Sequence, residues 1–194
     1  MSNIKELAYK NRTFRRFDEN VKIDMSTLEE WVDLARIASS ASNAQALKYV
    51  LVTAPKACQI VFDNIKWARD FPDWPGPAEG ERPTAYIVVF QDTSIAKNTH
   101  WDLGIAVENI TMAAVEQGFG SCQFGNVNRS ALKKALGITK ETLTLSMVLA
   151  LGKPVEKVVL VDIPESGKTT YYRDENMVHY VPKRTVEDLI VKKY

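Results

Sequence analysis

Arg12, Thr13, Arg15 and Arg16 place three guanidinium groups and a hydroxyl within one short stretch. Guanidinium forks hold phosphate oxygens by charge-assisted hydrogen bonds, and a hydroxyl adds a further donor. The stretch also follows a helix-forming segment, where a solvated basic face would complement the helix C-terminal dipole, so local chemistry allows either role. Thr13 and Arg15 are two positions apart. An extended backbone therefore turns both to one side and sends Arg16 elsewhere, while the apolar ring of Phe17 is expected in the core. A second constellation, Ser39-Ser40-Ala41-Ser42-Asn43-Ala44-Gln45, offers hydroxyls and amides to the edge of a heteroaromatic ring, or else forms a helix cap and turn. In a third, Gly118-Phe119-Gly120-Ser121-Cys122-Gln123-Phe124-Gly125, glycines permit close backbone approach to a ligand, although a tight turn into a strand accounts for them equally well.

The chain lacks the Gly-x-Gly-x-x-Gly dinucleotide fingerprint, the Gly-Lys phosphate loop and the Gly-x-Ser-x-Gly elbow. Its two histidines, His100 and His179, are too scattered for a metal centre and are assigned no catalytic role. Cys58 and Cys122 have neither zinc-site nor redox-motif spacing.

The elements that must position these groups alternate along the chain. Ile4, Leu7 and Ala8 recur at helical spacing, and Ser26 or Thr27 can cap a second helix whose stripe is Leu28, Trp31, Leu34, Ala35 and Ala38. Tyr49 to Val52 reads as a buried strand, and Pro55 can start a short helix carrying Ile60, Val61 and Ile65. Residues 70–83, with four prolines, read as a surface excursion whose aromatics, Phe71 and Trp74, are unusual for a linker. The apolar run 85–90 predicts a central strand covered on both faces. From Trp101 to Gln117 apolar and small residues occupy nearly the whole circumference, which predicts a helix buried in the molecule or at a subunit interface, ended by Gly118. Strands follow at 122–127, 143–151 and 158–163, with a helix at 129–136; residues 181–194 read as an arm or a short helix. Such interleaving without a repeat or low-complexity boundary predicts one three-layer α+β or α/β domain over residues 1–194.

Composition narrows the class. A hydrophobic fraction of 45% and a charged fraction of 25% exclude disordered, collagenous and disulfide-framework chains. Lys plus Arg number 25 against 24 Asp plus Glu, so no global field draws the chain to nucleic acid or an anionic membrane, and any anion site must be local. No apolar run approaches the roughly 20 residues of a spanning helix, and no cleavable leader is evident, so the expected setting is the cytoplasm.

In their order along the chain these segments resemble the FMN-dependent nitroreductase family, in particular a compact NAD(P)H:FMN oxidoreductase-like branch suggested by Trp74 to Pro77 and Gly80 to Pro83. Asn11-Arg12-Thr13-Phe14-Arg15-Arg16-Phe17 is similar to the family's Arg-Arg-Ser-x-Arg-x-Phe phosphate signature. Asn11 replaces the first basic residue and is left out of the site. Ser40, Asn43 and Gln45 match the Pro-Ser-x-x-Asn-x-Gln-Pro-Trp loop. Gly118 to Gly125 resembles Gly-Leu-Gly-Ser-Cys-Trp-x-Gly, whose backbone runs along the flavin, which implies cofactor-binding positions at Cys122, Gln123, Phe124 and Gly125. Leu149 to Pro154 is similar to a strand-ending Leu-Gly-x-Pro element. Lys183 or Arg184 stands where the family returns a basic side chain to the phosphate. The resemblance implies an α+β fold with a central mixed sheet flanked by helices, and an intertwined homodimer with FMN at its interface. It further implies ping-pong hydride transfer from NADH or NADPH to nitroaromatics, quinones or similar small acceptors, without a dedicated catalytic side chain or metal. The same resemblance admits other flavin chemistry, such as reductive substituent removal or flavin fragmentation, and a flavin-binding dimer without turnover.

Overall fold

A computed structural model describes residues 3–68, 70–71 and 73–194, so one position of the proline-rich excursion, residue 72, lies outside the described residues. The chain forms α1 (Ile4–Lys10), β1 (Phe17–Asp18), α2 (Met25–Arg36), β2 (Leu47–Val52), α3 (Pro55–Asp63), β3 (Ala85–Asp92), α4 (His100–Glu116), β4 (Gly120–Phe124), α5 (Arg129–Ala135), β5 (Leu143–Pro154), β6 (Val158–Asp162), β7 (Tyr172–Arg173), β8 (His179–Lys183) and α6 (Val186–Leu189). Pro55 occupies the first turn of α3, where its missing N–H has no intrahelical partner to lose.

The larger sheet runs β1-β5-β3-β2, with β4 also paired to β5, and all its strand pairings are antiparallel. Parallel pairing enters through an isolated Thr13–Ser121 bridge and a second sheet, β6-β8-β7, in which β6 and β8 run parallel. The apolar run on β3 is central as its composition requires, lying between β2 and β5. Strand alternation sorts its residues into two cores. Ile87 and Val89 pack with Leu28 and Trp31 of α2 and with Ala106, Val107 and Ile110 of α4. Tyr86, Val88 and Phe90 pack on the other side with Val61 of α3 and Leu132 of α5. Three layers result.

Within the single chain the long helix α4 is buried on one side only. Ile110 and Ala114 are buried, whereas Trp101 is 82% exposed and Ile105 also faces outward in the single chain. Leu34 of the predicted α2 stripe is exposed, and α2 begins after Asp24 rather than at a Ser26 or Thr27 cap. The C-terminal stretch supplies both a strand, β8, and the short α6. Among the described residues no helix is long and apolar enough to cross a membrane.

Candidate functional site

Residues 13–18 lie extended against the edge of the sheet. Phe14 N–H donates to the Ser121 carbonyl at 2.9 Å, Val155 N–H donates to the Arg16 carbonyl at 3.2 Å, and Phe17 pairs with Pro154. This close approach depends on Gly120 and Gly152, which face each other across β4 and β5. A Cβ at Gly120 would fall 2.4 Å from Phe14 Cδ2, and one at Gly152 would fall 2.8 Å from Phe17 Cγ.

The extended backbone directs Thr13 and Arg15 into one cleft of about 340 Å³, together with Arg12 and Lys183. Arg16 turns away to Glu81, its Nε donating at 2.7 Å, and Phe17 is fully buried. Arg12 donates to the Ala8 carbonyl at 2.5 Å, while its Nε is buried without a partner. Burial lowers the Arg12 pKa, and the nearby Glu108 carboxylate opposes that shift. Asn11 also lines the cleft, but its amide is taken up by α4, donating to Thr111 Oγ1 at 2.9 Å and Glu108 Oε1 at 3.1 Å.

Alternation along β4 divides the third constellation. Ser121 and Gln123 line the cleft, whereas the side chains of Cys122 and Phe124 belong to the core beside α3 and α5. For Cys122 and Phe124, therefore, it is the main chain that a ligand of the cleft could meet. Burial raises the Cys122 thiol pKa to about 12, so it is an inert core residue. Gly125 is exposed, with open space where a Cβ would be. Of the two basic candidates near the C-terminus, Lys183 lines the cleft and Arg184 does not.

The second constellation lies elsewhere. Ser40 and Gln45 line a different cleft of about 290 Å³, between α2, β2 and the start of α4. Asn43 is exposed on a 3-10 turn, and Ser42, Asn43 and Gln45 all have φ near 52°. The loop is fixed by Ala41 N–H donating to the buried Asp102 at 3.0 Å and by Gln45 N–H donating to Ser40 Oγ at 3.3 Å.

Several groups around the arginine cleft were not anticipated. Glu156 accepts from the backbone N–H groups of Arg15 and Arg16 and pairs with Arg173 at 3.2 Å. The Arg15 guanidinium carbon lies 4.6 Å from the Tyr171 ring centroid, and its NH1 lies 3.4 Å from Nε2 of the buried His179. Burial and then the charges of Arg15 and Arg173 lower the His179 pKa to about 4, so the ring is neutral near neutral pH. No sequence motif marks these residues, because His179 and Arg15 are 164 positions apart. Among the described residues no group of three or more His, Cys, Asp or Glu is arranged to hold a metal ion.

The nitroreductase family profile matches residues 8–153, three quarters of the chain and most of this cleft. The chain belongs to the nitroreductase family. This nitroreductase-family chain is 26% identical over 165 residues to a protein of Archaeoglobus fulgidus named "Putative NADH dehydrogenase/NAD(P)H nitroreductase", covering 81% of the chain and 88% of the relative. Its fold is similar to a "putative nitroreductase in complex with FMN" from Desulfovibrio desulfuricans, with a TM-score of 0.71 and 19% identity over 100% of this chain and 99% of that one. It is also similar to a nitroreductase family protein from Streptococcus pneumoniae, with a TM-score of 0.69 and 18% identity over 98% and 100% of the respective chains.

Proposed function

We propose that residues 1–194 form one FMN-binding domain of a cytoplasmic homodimer, an oxidoreductase that uses NADH or NADPH to reduce nitroaromatics, quinones or similar electron-poor acceptors. The observation that carries this reading is the convergence of Arg12, Thr13, Arg15 and Lys183 on one cleft. Three cations, a hydroxyl and a buried unpartnered Arg12 Nε suit a terminal phosphate. FMN would supply the hydride chemistry, taking a hydride from the nicotinamide and passing it to the acceptor in a ping-pong cycle. Ser121, Gln123 and the main chain of residues 122–125 would orient the cofactor beyond its phosphate. Tyr171 and His179 wall the cleft beside Arg15.

A homodimer is favoured by the separation of the two clefts and by the outward-facing Trp101 and Ile105 on α4. A cofactor held by the arginine cleft of one copy would meet Ser40, Asn43 and Gln45 from its partner, which also removes the apolar α4 residues from water. The test is to titrate purified apo-protein with FMN and riboflavin, then add NADH or NADPH anaerobically. The expected outcome is a yellow dimer that prefers FMN and bleaches on reduction. A protein that takes up no FMN sinks the proposal; binding without bleaching selects a flavin-binding dimer without turnover.

A further inference from the structure

The cleft contains a cation whose partners are unusual for a buried guanidinium. Arg15 is only 9% exposed, yet the side-chain partners described above are neutral: the face of Tyr171 and one nitrogen of His179. The nearby carboxylate, Glu156, is engaged otherwise, one oxygen accepting backbone N–H groups of Arg15 and Arg16 and the other pairing with Arg173. Arg173 is in turn held against Trp74 at 4.6 Å and Phe71 at 5.1 Å, the two aromatics of the proline-rich excursion. A buried charge is costly unless an opposite charge compensates it. By occupying Glu156, Arg173 leaves the charge of Arg15 to be matched from within the cleft.

We infer that His179 is a positioning residue for the cofactor phosphate, accepting a hydrogen bond from Arg15 and so aiming the guanidinium charge into the cleft. The inference rests on the proposed phosphate role of that cleft. Arginine has no acceptor, so Nε2 of His179 must present its lone pair to Arg15 and the ring proton must sit on Nδ1. Nδ1 is buried without a hydrogen-bond partner, so the tautomer follows from Arg15 alone, while burial and its surroundings keep the ring neutral. Arg15 and Arg173 both disfavour a positive imidazole, Tyr171 and Phe71 pack against it at 5.1 and 6.1 Å between centroids, and Glu156 is paired with Arg173. His179 is 1% exposed, so water cannot replace it as the acceptor without a rearrangement.

The test measures FMN and riboflavin dissociation constants by flavin fluorescence on the apo forms of wild type, Arg15→Ala, His179→Phe, His179→Gln and the Arg15→Ala/His179→Phe double variant. Phenylalanine keeps the ring contacts and removes the acceptor, whereas glutamine keeps an acceptor and serves if the phenylalanine variant fails to fold. One lost hydrogen bond of about 0.5–1.5 kcal/mol corresponds to roughly a two- to tenfold weaker FMN affinity for His179→Phe. Riboflavin affinity should be unchanged, His179→Gln should recover most of the loss, and the double variant should bind FMN no worse than Arg15→Ala. An equal loss for riboflavin, or a His179→Phe effect that persists in full without Arg15, would overturn the positioning role while leaving the phosphate cleft intact. If Arg15→Ala itself fails to weaken FMN relative to riboflavin, the phosphate reading falls and this inference falls with it.

Discussion

Replacing Gly152 by alanine would place a methyl group 2.8 Å from both Cγ and Cδ1 of Phe17, about 1 Å inside ordinary carbon contact. Phe17 is fully buried and cannot swing into solvent to make room. Overpacking of this kind costs about 1–3 kcal/mol, while the smaller conformational freedom of an unfolded chain with alanine returns roughly 0.4–1 kcal/mol. The expected net destabilisation is about 1–2 kcal/mol. With a slope of roughly 2–3 kcal/mol/M for this chain length, the urea midpoint should fall by about 0.5 M at unchanged slope, read by far-UV circular dichroism. Adding Phe17→Leu should relieve part of the clash, so the double variant should be more stable than the sum of the single losses. An unchanged midpoint in Gly152→Ala, or strict additivity in the pair, would refute the claim that the glycine creates room for the arginine segment.

Arg16→Ala should cost roughly 0.5–1 kcal/mol of stability through its partly buried pair with Glu81 and change FMN affinity less than twofold, whereas Arg15→Ala should weaken FMN about ten- to a hundredfold. Denaturation and FMN titration of both variants check this, and a larger affinity loss for Arg16 would show the register to be wrong. The His179 pKa falls from an ordinary 6.5 to about 4 on folding, so between those values the unfolded chain binds the extra proton. The His179 contribution is therefore complete above about pH 6.5 and is lost as pH drops towards 4. Stability curves for wild type and His179→Phe should diverge in slope within that window, and parallel curves would contradict the assignment.

Legibility in the sequence followed the range of the interactions. The apolar run of β3 placed it centrally because burial on both faces leaves a mark in every residue. The same two-residue period sets Cys122 and Phe124 on the face opposite Ser121 and Gln123, whereas the motif resemblance concerns the backbone that all four share. Residue type and spacing single out Arg12, Thr13 and Arg15, the family resemblance alone points to Lys183 or Arg184, and the fold brings the first three and Lys183 to one cleft. Motif order carries no distance, so the separation of Ser40 and Gln45 from that cleft was invisible. The pairing of β6 with β8, the placement of His179 and the anchoring by Glu156 were equally hidden. Each joins segments whose local patterns do not specify one another.

The arginine cleft draws on both ends of the chain, joining residues 12–15 to β4 and to the stretch from Tyr171 to Lys183. The strands of the larger sheet are all synthesised once Pro154 has been added to the chain, before His179 and Lys183 exist. The residues of the three layers therefore precede the complete cleft in synthesis, and the cleft closes only when the last strand adds beside β6. A ligand of this cleft needs both ends of the chain. It acts after synthesis by mass action, drawing finished chains towards the closed form in proportion to its free concentration.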